Sequence, residues 1–348
     1  MNGLILFAGG LLLLWLGRSI FIPLLAALIL WYLINAIASY YRRIMPIKTP
    51  KDAHERRIAI ILDWTANLLA VGTMVGAMYL FSTQVRPMFI ELMGALPELQ
   101  QKLVDFGHFM SGKLGLRFDA STVPNIAKVA TNVGASAVGM ATTIGMILIY
   151  MLFMFVEQST FNKKFSALFP NKRRSQKMRY ILGSIDDNMK KYLFMKTLIS
   201  GITGILSFFW LQTIGLPYAG VWAFIVFITS YIPTIGAIVA CGLPILYSLV
   251  TTDGLNQPLL TATGLIGLQI LFGNIIEPKL TGKTLNLSTL AILINLVFWG
   301  MIWGVAGMFF SVPLLVATFI ITAQFDSTRW IAILLSADGK IPAKSEEQ

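Results

Sequence analysis

One cysteine, Cys241, and two histidines, His54 and His108, are all the cysteine and histidine that 348 residues contain. No zinc cluster can be assembled from so few, and a lone thiol cannot close an internal disulfide. Charge is scarce as well. Asp, Glu, Lys and Arg make up 12% of the chain, against about 25% in an ordinary soluble domain. Between Thr197 and Gln324 the only charged side chains are Asp253, Glu277, Lys279 and Lys283. Catalytic signatures are missing too. His54-Glu55-Arg56-Arg57 lacks the second histidine of H-E-x-x-H, and neither histidine lies in an apolar run where it could activate a serine. Gly282-Lys283-Thr284 ends like a phosphate-binding loop, but Glu277 stands where the first glycine is required. The expectation is no enzyme, no catalytic residues, no cofactor and no resident metal.

What the chain does contain is long apolar runs, with 56% hydrophobic residues. This composition predicts an all-α polytopic membrane protein with about six spanning helices and two broken helical hairpins in the lipid bilayer. Residues 1–81 read as N-terminal transmembrane helices and 82–132 as an external amphipathic helical insert. Residues 133–156 are a further transmembrane helix and 157–195 a basic cytoplasmic helical segment. Residues 196–325 form a transport core and 326–348 a cytoplasmic tail. The first run lacks a basic leader and a cleavage pattern, so it is expected to be retained. Lysine and arginine fall beside the spans, in the loop carrying Arg42, Arg43, Lys48, Lys51, Arg56 and Arg57 and in the segment from Lys163 to Lys191. The positive-inside rule places both segments, and with them both termini, in the cytoplasm. It also accounts for the net charge of +11 without nucleic acid.

Two amphipathic stripes stand out. Leu92, Leu96, Leu99, Leu103, Phe106, Met110 and Leu114 recur at helical spacing and pack on the protein's own spans, on the outer leaflet or in an oligomer. Met178, Ile181, Leu182, Ile185, Met189, Tyr192 and Leu193 form the apolar face of a basic helix expected to rest on anionic lipid heads. Gly72 and Gly76 have the spacing of a helix-packing face, and Asp63 either caps its helix or couples an ion.

The core repeats a plan. Residues 216–250 and 287–321 are each too long and too interrupted for one helix, and each suits a hairpin. Aligning Leu216 with Leu287 superposes Gly236 on Gly307, with Pro244 and Pro313 following at eight and six residues. Counting crossings makes the two span-plus-hairpin units antiparallel, an inverted repeat in which solute binds where broken helices meet. The candidate lining is Thr229, Ser230, Tyr231, Pro233, Thr234 and Gly236 at the first tip and Asn295, Trp299, Gly300 and Trp303 at the second. Gln269, Asn274, Glu277, Lys279 and Asn286 come from the segment between them. A proline after Glu277 predicts that the incoming helix ends at Ile276, leaving the carboxylate on broken backbone. An ionisable group near a span is a functional candidate, costing about 2.5–3.5 kcal/mol at a helix centre. The alternative for Glu277 is a surface salt bridge to Lys279 or Lys283, and glycines such as Gly300 with Gly304 also suit close helix packing.

Tyr231-Ile232-Pro233-Thr234-Ile235-Gly236-Ala237 and the run Asn274 to Ser288 resemble the bacterial autoinducer-2 exporter-like family, as do Phe298-Trp299-Gly300 to Gly307 and Val312-Pro313-Leu314. The resemblance extends over almost the full length, although the first hundred residues match only in pattern. It implies an inner-membrane secondary transporter that is a homo-oligomer, with a small polar solute such as autoinducer-2 as cargo and a proton or sodium as coupling ion. Two alternatives stay open, a sodium or lithium/proton antiporter and a non-transporting membrane scaffold.

Overall fold

The computed structural model describes residues 2–44, 53–114, 126–252, 254–281 and 286–341. Among them the chain is helical, with one isolated antiparallel bridge between Leu287 and Ser336. In order the helices are α1 (Asn2–Leu16), α2 (Arg18–Ile44), α3 (Ala53–Leu114), α4 (Ile126–Leu168), α5 (Lys172–Thr213), α6 (Ala219–Thr229), α7 (Ile235–Thr251) and α8 (Asn256–Gln269). A π segment (Ile270–Ile276) follows, then α9 (Glu277–Thr281), α10 (Thr289–Ala323) and α11 (Arg329–Leu335).

Five described helical stretches are long and apolar enough to cross a bilayer: Arg18–Ile44, Trp64–Lys113, Lys172–Thr213, Asn256–Leu280 and Thr289–Ala323. The shorter apolar helices are Thr142–Gln158, Ala219–Thr229 and Ile235–Thr251. The protein is therefore an all-α, multi-pass membrane protein. With 11 residues, α6 is only about 16 Å long and cannot by itself cross about 30 Å of hydrocarbon.

The chain divides into two compact units. The first comprises Met1–Val75, Thr143–Thr197 and Pro278–Gln348. One of its clusters joins Ile34 and Ala38 of α2 with Ala70 of α3, and partly buried Met151 and Phe155 pack against them. Another sets Met189, Tyr192 and Leu193 of α5 against Ile29 and against Phe310, Val312, Val316 and Ile320 of α10. This corrects the reading of the basic helix. Met189, Tyr192 and Leu193, on the face expected to meet lipid heads, instead fill the protein's interior, while Lys163, Lys164, Lys172, Arg173 and Arg174 stay exposed.

The second unit comprises Gly76–Thr142 and Leu198–Glu277. Leu92 of α3 joins Leu211, Leu216, Trp222, Val226 and Leu265 in its core, with Leu99 packed alongside. Leu96 is buried as well. Of the readings open for that stripe, packing on the protein itself holds for these three leucines; the side chains of Met110 and Leu114 lie outside the described residues, as does that of Asp63. Gly72 and Gly76 have nothing within 4 Å of an added methyl group among the described residues, so no packing partner appears there. α3 runs from the apolar stretch into the polar one as one 62-residue helix.

Candidate functional site

In the second unit α6 and α7 form the first hairpin. The chain turns over residues 230–234, where the Ile232 amide donates to the Thr229 carbonyl at 2.8 Å and the Gly236 amide to that of Ile232 at 3.1 Å. Thr234 sits at φ 59°, ψ −61°, and the Ile235 amide donates to the Pro233 carbonyl at 2.6 Å. Those angles and that bond define a γ-turn of the rare, strained hand, held here by a β-branched residue. Gly236 explains the tightness. A methyl group at that position would overlap the Thr229 carbonyl, so only glycine lets α7 start against the end of α6. The Thr229 and Ser230 hydroxyls donate to the carbonyls of Ile225 and Val226, each at 2.6 Å, which leaves their oxygens as acceptors. Tyr231 is buried edge-to-face on Phe227, Pro233 is half-buried and Thr234 is exposed.

In the first unit the second hairpin lies within α10. Its bend is Gly304, at φ 63°, ψ −141°, a backbone region essentially reserved for glycine. Three residues on, a methyl group at Gly307 would overlap the carbonyl of Trp299. The two glycines superposed by sequence register thus occupy equivalent crossings. The Asn295 amide donates to the Ser311 carbonyl at 2.6 Å, tying the two legs together. Trp299 stacks on Trp303 with ring centroids 4.6 Å apart, and the Trp303 indole donates to the Leu14 carbonyl at 2.9 Å. Gly300 faces Met308. Gly304 forms the bend itself rather than a helix-packing face.

The expected helix end at Ile276 is not observed. Glu277 is helical at φ −56°, ψ −50°, and its amide donates to Phe272, five residues back. The helix passes Pro278 by widening into the π segment. Wider turns relieve the clash between a proline ring and the carbonyl four residues before it, and such bulges recur at functional sites. The carboxylate therefore sits on continuous helix, half-buried, with Asn274 and Lys279 exposed on either side. Gln269, at the start of the π segment, buries its side-chain nitrogen without a hydrogen-bond partner among the described residues. Lys283 and Thr284 lie outside the described residues. Asn286 is placed elsewhere in the first unit, where its amide donates to the Asp338 carboxylate at 2.7 Å and the Lys340 carbonyl at 2.9 Å. The Asn286 amide, together with the Lys340 backbone N–H that donates to the same carboxylate at 3.1 Å, holds the Asp338 carboxyl below its ordinary value of 3.8.

Sequence reading missed a polar face on α5. Ser200, Thr203 and Ser207 are all buried, and the Ser200 and Ser207 hydroxyls have no hydrogen-bond partner among the described residues. Its signal was present in the three- and four-residue spacing of hydroxyls along an apolar run, which also fits plain helix packing.

A family model described as AI-2E family transporter matches residues 4–327. The chain belongs to the AI-2E transporter family. Among its AI-2E relatives, it is 36% identical over 214 residues to the AI-2 transport protein TqsA of Escherichia coli K12, covering 61% of each chain. To a putative transport protein of Haemophilus influenzae it is 32% identical over 221 residues, 63% of this chain and 62% of the other. Both alignments span less than two thirds of the relative's length. A longer match, 26% identity over 303 residues, covers 86% of this chain and 82% of the putative transport protein YhhT of Escherichia coli K12. Transport across a membrane is accordingly the activity of its family.

Proposed function

We propose that this AI-2E family member is a secondary exporter of a small polar solute, autoinducer-2 or a chemical relative, in the bacterial inner membrane. That its relative TqsA is an AI-2 transport protein carries the choice of cargo. The broken helices support the mode of action. Each hairpin interrupts its helix at a bend held by a crossing glycine, and such bends free backbone dipoles to face a solute. Flanking the π segment are the Gln269 amide, buried without a partner among the described residues, and the half-buried Glu277 carboxylate. Glu277 carries the coupling proton, or binds sodium in its place, and flexing at the two bends alternates access. Both termini are cytoplasmic, and the working form is a homo-oligomer.

The test is flux into and out of proteoliposomes containing wild type or Glu277→Gln, with labelled autoinducer-2, an internal pH dye and an imposed proton or sodium gradient. Solute flux that is lost in Glu277→Gln is the expected result. Sodium-dependent pH change without solute flux makes the protein a cation/proton antiporter. Silence in both channels, with the external segment 87–119 needed for function in cells, makes it a scaffold.

A further inference from the structure

A cavity lies at the other end of the first hairpin, away from its bend, where α6 begins and α7 ends. It has a volume of about 320 Å³, at the lower end of the range of small-molecule sites. Glu98 and Lys102 of α3, Tyr218 before α6, Tyr247 and Thr251 of α7 and Gln257 of α8 line it. All belong to the second unit.

Its chemistry is specific. Glu98 and Lys102 pair at 3.1 Å, so the local charge is neutral while the rim still offers a strong acceptor and a strong donor. The two tyrosines add an aromatic corner, their rings edge-to-face 5.9 Å apart at 68°, with Trp222 tilted against Tyr247 at 5.2 Å. Gln257 is locked by its bond to the Ile214 carbonyl at 3.1 Å. A charged ligand would have to break the ion pair. A neutral ring bearing several hydroxyls would bridge it and set its C–H face on the tyrosine.

The backbone makes this corner rigid. Tyr218 has φ 60°, ψ 31°, which a bulky L-residue rarely adopts. It is held there because the Val221 and Trp222 amides both donate to its carbonyl, at 2.9 and 3.2 Å. The Trp222 indole also donates to the Pro217 carbonyl at 3.1 Å. Strain of this kind, imposed on a residue that faces a cavity, marks a pre-organised site.

We infer that this cavity is a docking site for a small, neutral, polyhydroxylated ring, which the transporter holds apart from the hairpin bends. The inference rests on the transport reading above for its biological sense, but its test does not. Full-length protein in detergent is titrated calorimetrically with autoinducer-2 and with D-ribose as a probe of the same hydroxyl chemistry. Tyr218→Gly and Glu98→Gln are the variants. Glycine suits the left-handed backbone at position 218, which offsets part of the packing lost with a ring set against the core; Glu98 is exposed, its substitution is structurally neutral, and it keeps the test decisive if Tyr218→Gly is destabilised. Binding to wild type that weakens about tenfold or more in both variants is expected, the loss of one charged hydrogen bond or one stacked ring being of that size. Wild type that binds neither ring, or variants that bind as wild type does, overturns the site. Binding without autoinducer-2 flux in proteoliposomes upholds the site and sinks the exporter reading; flux unchanged by Tyr218→Gly, with no binding change, does the reverse.

Discussion

The two hairpins solve one problem with different residues. In each, a helix must double back without a wide loop, and a glycine crosses against the carbonyl of a residue seven or eight positions earlier: Gly236 against Thr229, Gly307 against Trp299. They part at the bend. The second places φ 63° on Gly304, where it is relaxed, and the first places φ 59° on Thr234, where it is strained. Their walls differ too. Hydroxyls of Thr229 and Ser230 border the first bend, whereas stacked Trp299 and Trp303 brace the second. A strained bend bordered by hydroxyls is better suited to large movement than a relaxed bend braced by an indole.

That contrast can be broken at several points. The largest effect is expected where the hairpins agree. Gly236→Ala and Gly307→Ala should each destabilise the protein by about 3 kcal/mol, since a backbone carbonyl cannot step aside. Thermal unfolding in detergent measures it, and tolerance at either position would dissolve the equivalence. The bends should respond with opposite sign. Thr234→Gly should raise stability by about 1–2 kcal/mol and Gly304→Ala lower it by about the same, because each exchange removes or adds a left-handed non-glycine residue. If transport slows in Thr234→Gly while stability rises, the strain is functional. Smaller again is Trp303→Phe, which leaves the Leu14 carbonyl without its indole donor and should cost about 1 kcal/mol; the Thr229→Val exchange at the other bend should cost less, since its hydroxyl only returns to its own helix.

The smallest effect lies outside the spans, at the link between Asn286 and Asp338. A carboxyl whose folded value lies below 3.8 stabilises above that pH and loses its contribution as pH falls through the folded value. Protection of the Ala337 amide, which donates to the Asn286 carbonyl at 2.9 Å, should therefore hold at neutral pH. It should decline only under strong acid, and in Asp338→Asn it should become independent of pH.

Much of this was legible before any coordinates. The register that aligns Gly236 with Gly307 paired the two positions that form the crossings, but that a carbonyl stands where a Cβ would be is seen only in the structure. Gly304 was legible only as a packing spacing, since left-handed geometry is invisible until the chain is seen to turn. Glu277 was misplaced on broken backbone. The rule that a proline ends the preceding helix assumes α-geometry, and here a π segment absorbs the ring. Ser200 and Ser207 escaped notice because small hydroxyl residues serve close packing and polar pathways equally well.

By itself the sequence determined the material and the plan: apolar runs too long and too poor in charge for water, basic loops between them, and two interrupted hairpins in matching register. Composition and glycine spacing are local or additive properties, and they survive without coordinates. Tertiary structure alone decided which apolar faces meet protein and which stay exposed. Lipid tails are as apolar as leucine, so hydrophobicity cannot distinguish the face of Met189 and Leu193, which packs on α10, from one turned to lipid. It also decided where strain is stored, because φ at Thr234 and Tyr218 is imposed by bonds from residues on either side rather than by the residues themselves.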